Sequence, residues 1–184
     1  MTQLTIIGNG NMGQAITGLA HKGGHQVQVL DVDDAGTPVT GEIVVLALPY
    51  PAVREVIAER AEQLAGRIVV DITNPLNFET FDSLVVPVGS SATAEIAAAL
   101  PQSRVLKAFN TTFAGTLVSG NVGPVTTTVL IAGDDADAKA LLEDLIGKAK
   151  AAGADSADAV MFDGASLSLS QRLGQPERLE RAEA

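Results

Sequence analysis

The chain has no cysteine and no tryptophan, and its 184 residues include one tyrosine and five phenylalanines. Without cysteine there is no disulfide, no thiol nucleophile and no cysteine-ligated zinc. Aromatics are 3% of the chain and hydrophobics 46%, so the core must be built from Val, Ile, Leu and Ala. Basic residues are also scarce: 12 Lys and Arg against 22 Asp and Glu give a formal net charge of −10. With no basic stripe, nucleic acid is not expected as a partner, and the acidic surface mainly favours solubility. A phosphate site would have to rest on backbone dipoles rather than on a lysine cluster. No apolar run reaches the ~18 residues needed to cross a bilayer, and no basic segment with an apolar follow-on opens the chain. A cytoplasmic location without membrane contact is expected. His21 and His25 are separated by Gly23-Gly24, which reads as a helix end and a turn rather than a metal pair on one helical face. No Ser-His-Asp set, no acid pair and no metal-ligand cluster is visible. Neither a catalytic residue nor a metal is therefore assigned.

What is present stands at the start. The apolar run Leu4-Thr5-Ile6-Ile7 leads into Gly8-Asn9-Gly10-Asn11-Met12-Gly13, and helical spacing follows at Ile16, Leu19 and Ala20. This is a strand, a glycine turn and a helix start, with the spacing of a dinucleotide-binding turn. Gly8 permits the tight turn, Gly10 lets a pyrophosphate approach the backbone, and Gly13 lets the helix lie against the strand. The unpaired N–H groups and dipole at the helix start then hold the anion. Asn9, Asn11 and Met12 line the turn. A second apolar run, Val27 to Leu30, ends in Asp31, about twenty residues on, where a carboxylate accepts hydrogen bonds from the adenosine ribose. Asp31 also reads as a solvated acid opening the Asp31-Val32-Asp33-Asp34 loop.

Strand patterns at 3–7, 26–31, 42–48, 67–72, 104–107 and 126–132 alternate with helical patterns at 11–22, 51–64, 91–99 and 135–149. Runs such as Ile43 to Leu48 and Ile68 to Val70 are apolar at nearly every position, as in parallel strands covered on both faces. The alternation predicts an α/β fold, a Rossmann-like doubly wound, mostly parallel sheet. Residues 32–41 contain Gly36, Pro38 and Gly41 and are too few for an ordinary helical crossover. A shortened, irregular crossing after the second strand is expected. Residues 154–162 read as a last edge strand, which sets a dinucleotide-binding domain at 1–163 and a short, truncated C-terminal tail at 164–184.

Ligands in open α/β sheets lie beyond the carboxyl ends of the strands, and three segments sit there. Leu48-Pro49-Tyr50-Pro51 would cover the adenosine side, or simply end a strand and start a helix at Pro51. Thr73, Asn74 and Pro75 would face the nicotinamide end, where a carboxamide needs donors and acceptors, or form an Asx-type turn. Asn110, Thr111 and Thr112 would face the same crevice from the far side, and Ser90 would reach a ligand beside Ser91, an N-cap with Glu95 in the first turn. Lys107 is a candidate substrate cation or a surface or salt-bridge residue.

Gly8 to Gly13, Ala47-Leu48-Pro49-Tyr50, Asp71-Ile72-Thr73-Asn74-Pro75 and Lys107-Ala108-Phe109-Asn110-Thr111 occur in this order in NADP-dependent oxidoreductases of the coenzyme F-420 (deazaflavin) family. Over residues 2–163 the chain resembles their bacterial relatives, usually labelled predicted dinucleotide-binding or NADPH-dependent reductases. The resemblance implies hydride exchange between a nicotinamide, NADP or NAD, and a small-molecule acceptor that is a flavin or deazaflavin. It also implies a second-ligand pocket at Ser90, Asn110, Thr111 and Thr112, and a homodimer formed through the C-terminal part. Asp31-Val32-Asp33 stands where many relatives carry Ser-Arg or Ser-Lys, which leans toward NAD. The segment after Gly164-Ala165-Ser166-Leu167 is short and dissimilar, which leaves a non-catalytic dinucleotide-binding or redox-sensing module as the alternative.

Overall fold

The computed structural model describes residues 1–34, 36–152 and 157–162. The expected tail at 164–184 and the boundary at residue 163 lie outside the described residues. In chain order the elements are β1 (Gln3–Ile7), α1 (Asn11–Lys22), β2 (Gln26–Leu30), a 3-10 turn (Val32–Asp34), β3 (Ile43–Leu46), α2 (Tyr50–Leu64), β4 (Ile68–Asp71), α3 (Ala92–Ala99) and β5 (Arg104–Lys107). There follow α4 (Ala114–Ser119), β6 (Asn121–Val122), β7 (Val125–Thr126), β8 (Thr128–Ala132), α5 (Ala136–Ala151) and β9 (Asp158–Phe162).

Seven strands form one sheet in the order β2-β1-β3-β4-β5-β8-β9. The first five are parallel. β8 joins β5 antiparallel through Lys107 opposite Ala132, and β9 pairs parallel with β8. β3 and β4 are buried at every position, as their unbroken apolar runs require when helices cover both faces. Leu4, Ile6, Ile43, Val45, Ile68 and Val70 pack with α1 and α5 on one face. Ile7, Val44, Leu46 and Val69 pack with α2 and α3 on the other. The expected doubly wound α/β sheet is therefore present, and the order of strands reverses at β1 and β3, which opens a crevice at their carboxyl ends.

Several boundaries differ from the sequence reading. The run expected at 126–132 is divided between β7 and β8, and α4 and the β6–β7 hairpin had no clear period to announce them. Gly120 closes α4 with φ of 72°, the left-handed stop that glycine permits. Helix α2 begins at Tyr50 with Pro49 as N-cap, one residue before the expected start. Of the histidines, His21 lies in the last turn of α1, while His25 is buried and its Nδ1 accepts the Thr2 N–H at 3.2 Å. Burial, and then the nearby Lys148, holds this imidazole below its ordinary value. The fold favours the neutral ring, so stability falls as acid protonates it.

The shortened crossover from β2 to β3 holds a single 3-10 turn in place of a helix. Several of its carbonyls are taken by side chains, because no helical ladder is there to take them. Arg60 donates to Thr37 O at 2.8 Å and Asp34 O at 2.5 Å, and Arg67 donates to Val39 O at 2.9 Å and to Gly41 O. Thr5, fully buried on β1, donates to Gln28 Oε1 at 2.7 Å and accepts the Gly41 N–H at 2.8 Å. The crossover runs so close to β1 that a Cβ on Gly41 would overlap the Thr5 backbone. Gly41→Ala is expected to cost about 1–3 kcal/mol by overpacking, read as a lower midpoint with an unchanged slope in urea unfolding.

Candidate functional site: a glycine cradle and a polar pocket at the strand ends

The three glycines of the first turn play different parts. Gly8 has φ of 110°, and a Cβ there would run into the Ala47 carbonyl. A Cβ on Gly13 would strike the Gly8 carbonyl oxygen as α1 crosses the turn. Gly10 has ordinary backbone angles, φ −73° and ψ −174°, and no protein atom within 4 Å of a built Cβ. Folding explains glycine at 8 and 13, and it does not explain glycine at 10. The first backbone bond of α1 runs from Gln14 N–H to Gly10 O at 2.9 Å, so the N–H groups of Asn11, Met12 and Gly13 have no acceptor within the helix. Asn9, Gly10 and Asn11 are exposed at this opening and Met12 is half-buried. The geometry is that of an anion cradle at a helix N-terminus.

Beyond the end of β2, Asp31 lines a cleft with Ile7, Leu48, Glu55, Glu59 and Arg60. Its backbone N–H donates to Asp34 Oδ2 at 2.9 Å, which fixes the turn. Sequence reasoning missed the two glutamates, because their spacing on α2 reads as a solvated face until the helix is docked. Arg60, beside them, is only 3% exposed and its guanidinium serves the crossover carbonyls. Pro49 is exposed as the α2 N-cap. Tyr50 is buried, with its ring clustered with Val86 and Ala92 and its hydroxyl donating to Glu95 Oε2 at 2.5 Å. Burial first, and then the Glu95 carboxylate, pushes this phenol up to about 12. The structure thus brings Asp31 and Leu48 together in one cleft and commits Tyr50 to the α2–α3 contact.

At the ends of β4 and β5 the structure gathers a second group. Asp71 is fully buried and lies in register with Lys107 on the neighbouring strand. Its Oδ2 accepts from Lys107 Nζ at 2.9 Å and from Thr93 Oγ1 at 2.7 Å, while Oδ1 accepts the Thr73 N–H at 2.8 Å. Lys107 also donates to Thr73 O. It is a buried ion-pair member, not the surface lysine that its place near a strand end had offered as one reading. Burial lowers its pKa from the ordinary lysine value and Asp71 opposes that shift. Across the mouth, Asn74 Nδ2 donates to Asn110 O at 2.9 Å. Thr73, Asn74, Pro75, Thr93, Lys107 and Asn110 share one pocket, with Ser91 at its edge.

The remaining expected ligand residues stand around it. Ser91 caps α3 by accepting the Ala94 N–H at 3.1 Å, and half-buried Ser90 precedes it. Thr111 is exposed, and Thr112 Oγ1 donates to Phe109 O at 2.8 Å. Phe109 adopts φ of 61° with its ring in the core, an unusual conformation for an aromatic residue that turns the chain sharply just before Asn110. Asp71 and Thr93 were not singled out in the sequence, although an acid ending a fully apolar strand is a signal that a buried partner is needed. Among the described residues no cluster of His, Asp and Glu is placed to hold a metal, and no helix is long and apolar enough to cross a membrane.

With this geometry in hand, comparison with known proteins gives a consistent answer. The family model described as NADP oxidoreductase, coenzyme F420-dependent, matches residues 19–75. The chain is similar to this family. An F420-dependent NADP reductase of Methanocaldococcus jannaschii is 29% identical over 125 residues, which cover 66% of this chain and 56% of the archaeal protein. The chain thus matches little more than half of that curated relative. Among solved structures, an Arthrobacter sp. FB24 protein provisionally called an F420-dependent NADP-reductase superposes with a TM-score of 0.75 at 24% identity, covering 94% of this chain and 90% of that one. An imine reductase of Bacillus cereus gives a TM-score of 0.61 at 16% identity, covering 94% of this chain and 59% of that one. These superpositions carry the fold: the Rossmann-like sheet and its flanking helices recur in all of them.

Proposed function

We propose that this chain is an oxidoreductase that transfers a hydride between a nicotinamide dinucleotide and a flavin-like or deazaflavin acceptor. The observation that carries the reading is Gly10, a glycine with open space above it at an unpaired helix N-terminus. The fold accepts a side chain there at the cost of a poorer N-cap, and a pyrophosphate does not. Gly8 and Gly13 shape the cradle, Asn9, Asn11 and Met12 border it, and Leu48 and Pro49 flank the adenosine cleft. Thr73, Asn74 and Pro75 receive the nicotinamide end, and Ser90, Asn110, Thr111 and Thr112 orient the acceptor. The names of the relatives, F420-dependent NADP reductases, support the choice of acceptor. The bound coenzyme supplies the hydride; the chain holds the two rings together and excludes water. The reading also makes the protein a cytoplasmic homodimer.

The test is to mix the protein with NADH or NADPH and a 5-deazaflavin and follow loss of the nicotinamide absorbance. Turnover supports the reading, and tight coenzyme binding without oxidation supports the non-catalytic module. The coenzyme's 2′ position has its own test. Asp31, Glu55 and Glu59 place carboxylates around the adenosine cleft, which suits a ribose hydroxyl and repels a 2′-phosphate. Asp31→Ser is expected to weaken NADH binding and strengthen NADPH binding, changing their affinity ratio by about tenfold or more. An unchanged ratio would remove Asp31 as the ribose reader.

A further inference from the structure

The pocket at the ends of β4 and β5 contains a lysine that the hydride-transfer reading leaves without a role, beside a threonine whose hydroxyl has no partner. Thr73 is 4% exposed, yet its Oγ1 has no hydrogen-bond partner. A buried hydroxyl in that state is costly unless a ligand or water completes it. Lys107 Nζ bonds Asp71 Oδ2 and Thr73 O, which uses two of the three donors of an ammonium. Its side chain is 14% exposed and lines the same pocket as Thr73, Asn74 and Asn110. Thr93 on α3 and Asn110 beyond β5 are uncharged, so among the described residues Asp71 on β4 is the charged group that faces the amine. The pair fixes the amine at the pocket wall with one N–H to spare.

Resting on the oxidoreductase reading above, we propose that Lys107 is the general acid of the reaction. The C4–H bond of the reduced nicotinamide breaks, and its electron pair forms a C–H bond at the electrophilic carbon of the acceptor. The acceptor's conjugated π pair moves onto a ring nitrogen or oxygen, which takes a proton from Lys107 Nζ. The nicotinamide leaves oxidised, the acceptor leaves reduced, and the neutral amine is reprotonated from water. Burial favours the loss of that proton, and Asp71 keeps the amine charged until the acceptor arrives. The substrate class this selects is a planar conjugated acceptor with a heteroatom that becomes basic on reduction.

Lys107→Arg keeps the cation but releases its proton far less readily. With NADH or NADPH and a 5-deazaflavin, kcat is expected to fall by about 100-fold or more, while the coenzyme Kd stays within about twofold. The unmutated chain should show a kcat that falls at alkaline pH and a solvent deuterium isotope effect, and the Arg variant should lose the alkaline limb. Lys107→Met combined with Asp71→Asn removes both charges and covers the case in which arginine does not fit. It should remain folded, bind coenzyme and show the same loss of kcat. Retention of kcat and of the alkaline limb in either folded variant overturns the role of Lys107 and leaves the oxidoreductase reading intact. An unmutated chain that oxidises neither coenzyme overturns that reading and this one with it.

Discussion

Gly10→Val removes coenzyme binding and leaves the fold standing. The backbone at residue 10, φ −73° and ψ −174°, is open to any residue, and a built Cβ meets no protein atom within 4 Å. The cost to folding is confined to a poorer N-cap, at most about 1 kcal/mol. For a pyrophosphate the change is severe. The valine methyls fill the space through which the diphosphate reaches the N–H groups of Asn11, Met12 and Gly13. A loss of affinity of at least 100-fold is expected, about 2.7 kcal/mol, measured by titration of NADH or NADPH alongside urea unfolding. The contrast with its neighbours sharpens the test, because side chains at Gly8 or Gly13 would collide with backbone and lower stability as well as binding. Undiminished affinity in the Gly10 variant would refute the pyrophosphate assignment.

Asp71→Ala is expected to be the most destabilising single change at the site. It leaves the Lys107 ammonium buried with no counter-charge and takes the acceptor from Thr73 N–H and Thr93 Oγ1. Breaking a buried pair in this way typically costs about 3–5 kcal/mol, which for a chain of this size lowers Tm by roughly 10 °C. Removing the stranded charge as well should recover part of the loss, so Asp71→Ala with Lys107→Met should melt above Asp71→Ala alone. If the single variant keeps the parent Tm, the pair is not the clamp between β4 and β5 described here.

Period and composition were enough for much of this architecture. β3 and β4 announce themselves as buried parallel strands through unbroken apolar runs, and the glycine turn carries its own chemistry. Gly36, Pro38 and Gly41 in a connection too short for a helix foretold the irregular crossover. What could not be read was how that crossover is held: Arg60, Arg67, Gln28 and Thr5 are distant in sequence, and only the docked sheet brings their donors and acceptors to its backbone. The same holds at the site. Asp71 and Lys107 are 36 positions apart, and their pairing is a consequence of strand register. Tyr50 follows Pro49, the exposed N-cap of α2, and the start of that helix directs its hydroxyl to Glu95. The short helix α4 escaped because six residues are too few to display a period.

The central claim is that an open backbone cradle at Gly10 grips a nicotinamide dinucleotide, and titration calorimetry on the unmutated chain tests it most directly. Saturating heat with NADH or NADPH, at one site per chain and absent from Gly10→Val, is the predicted result. No heat with either coenzyme, oxidised or reduced, from a folded chain would contradict it.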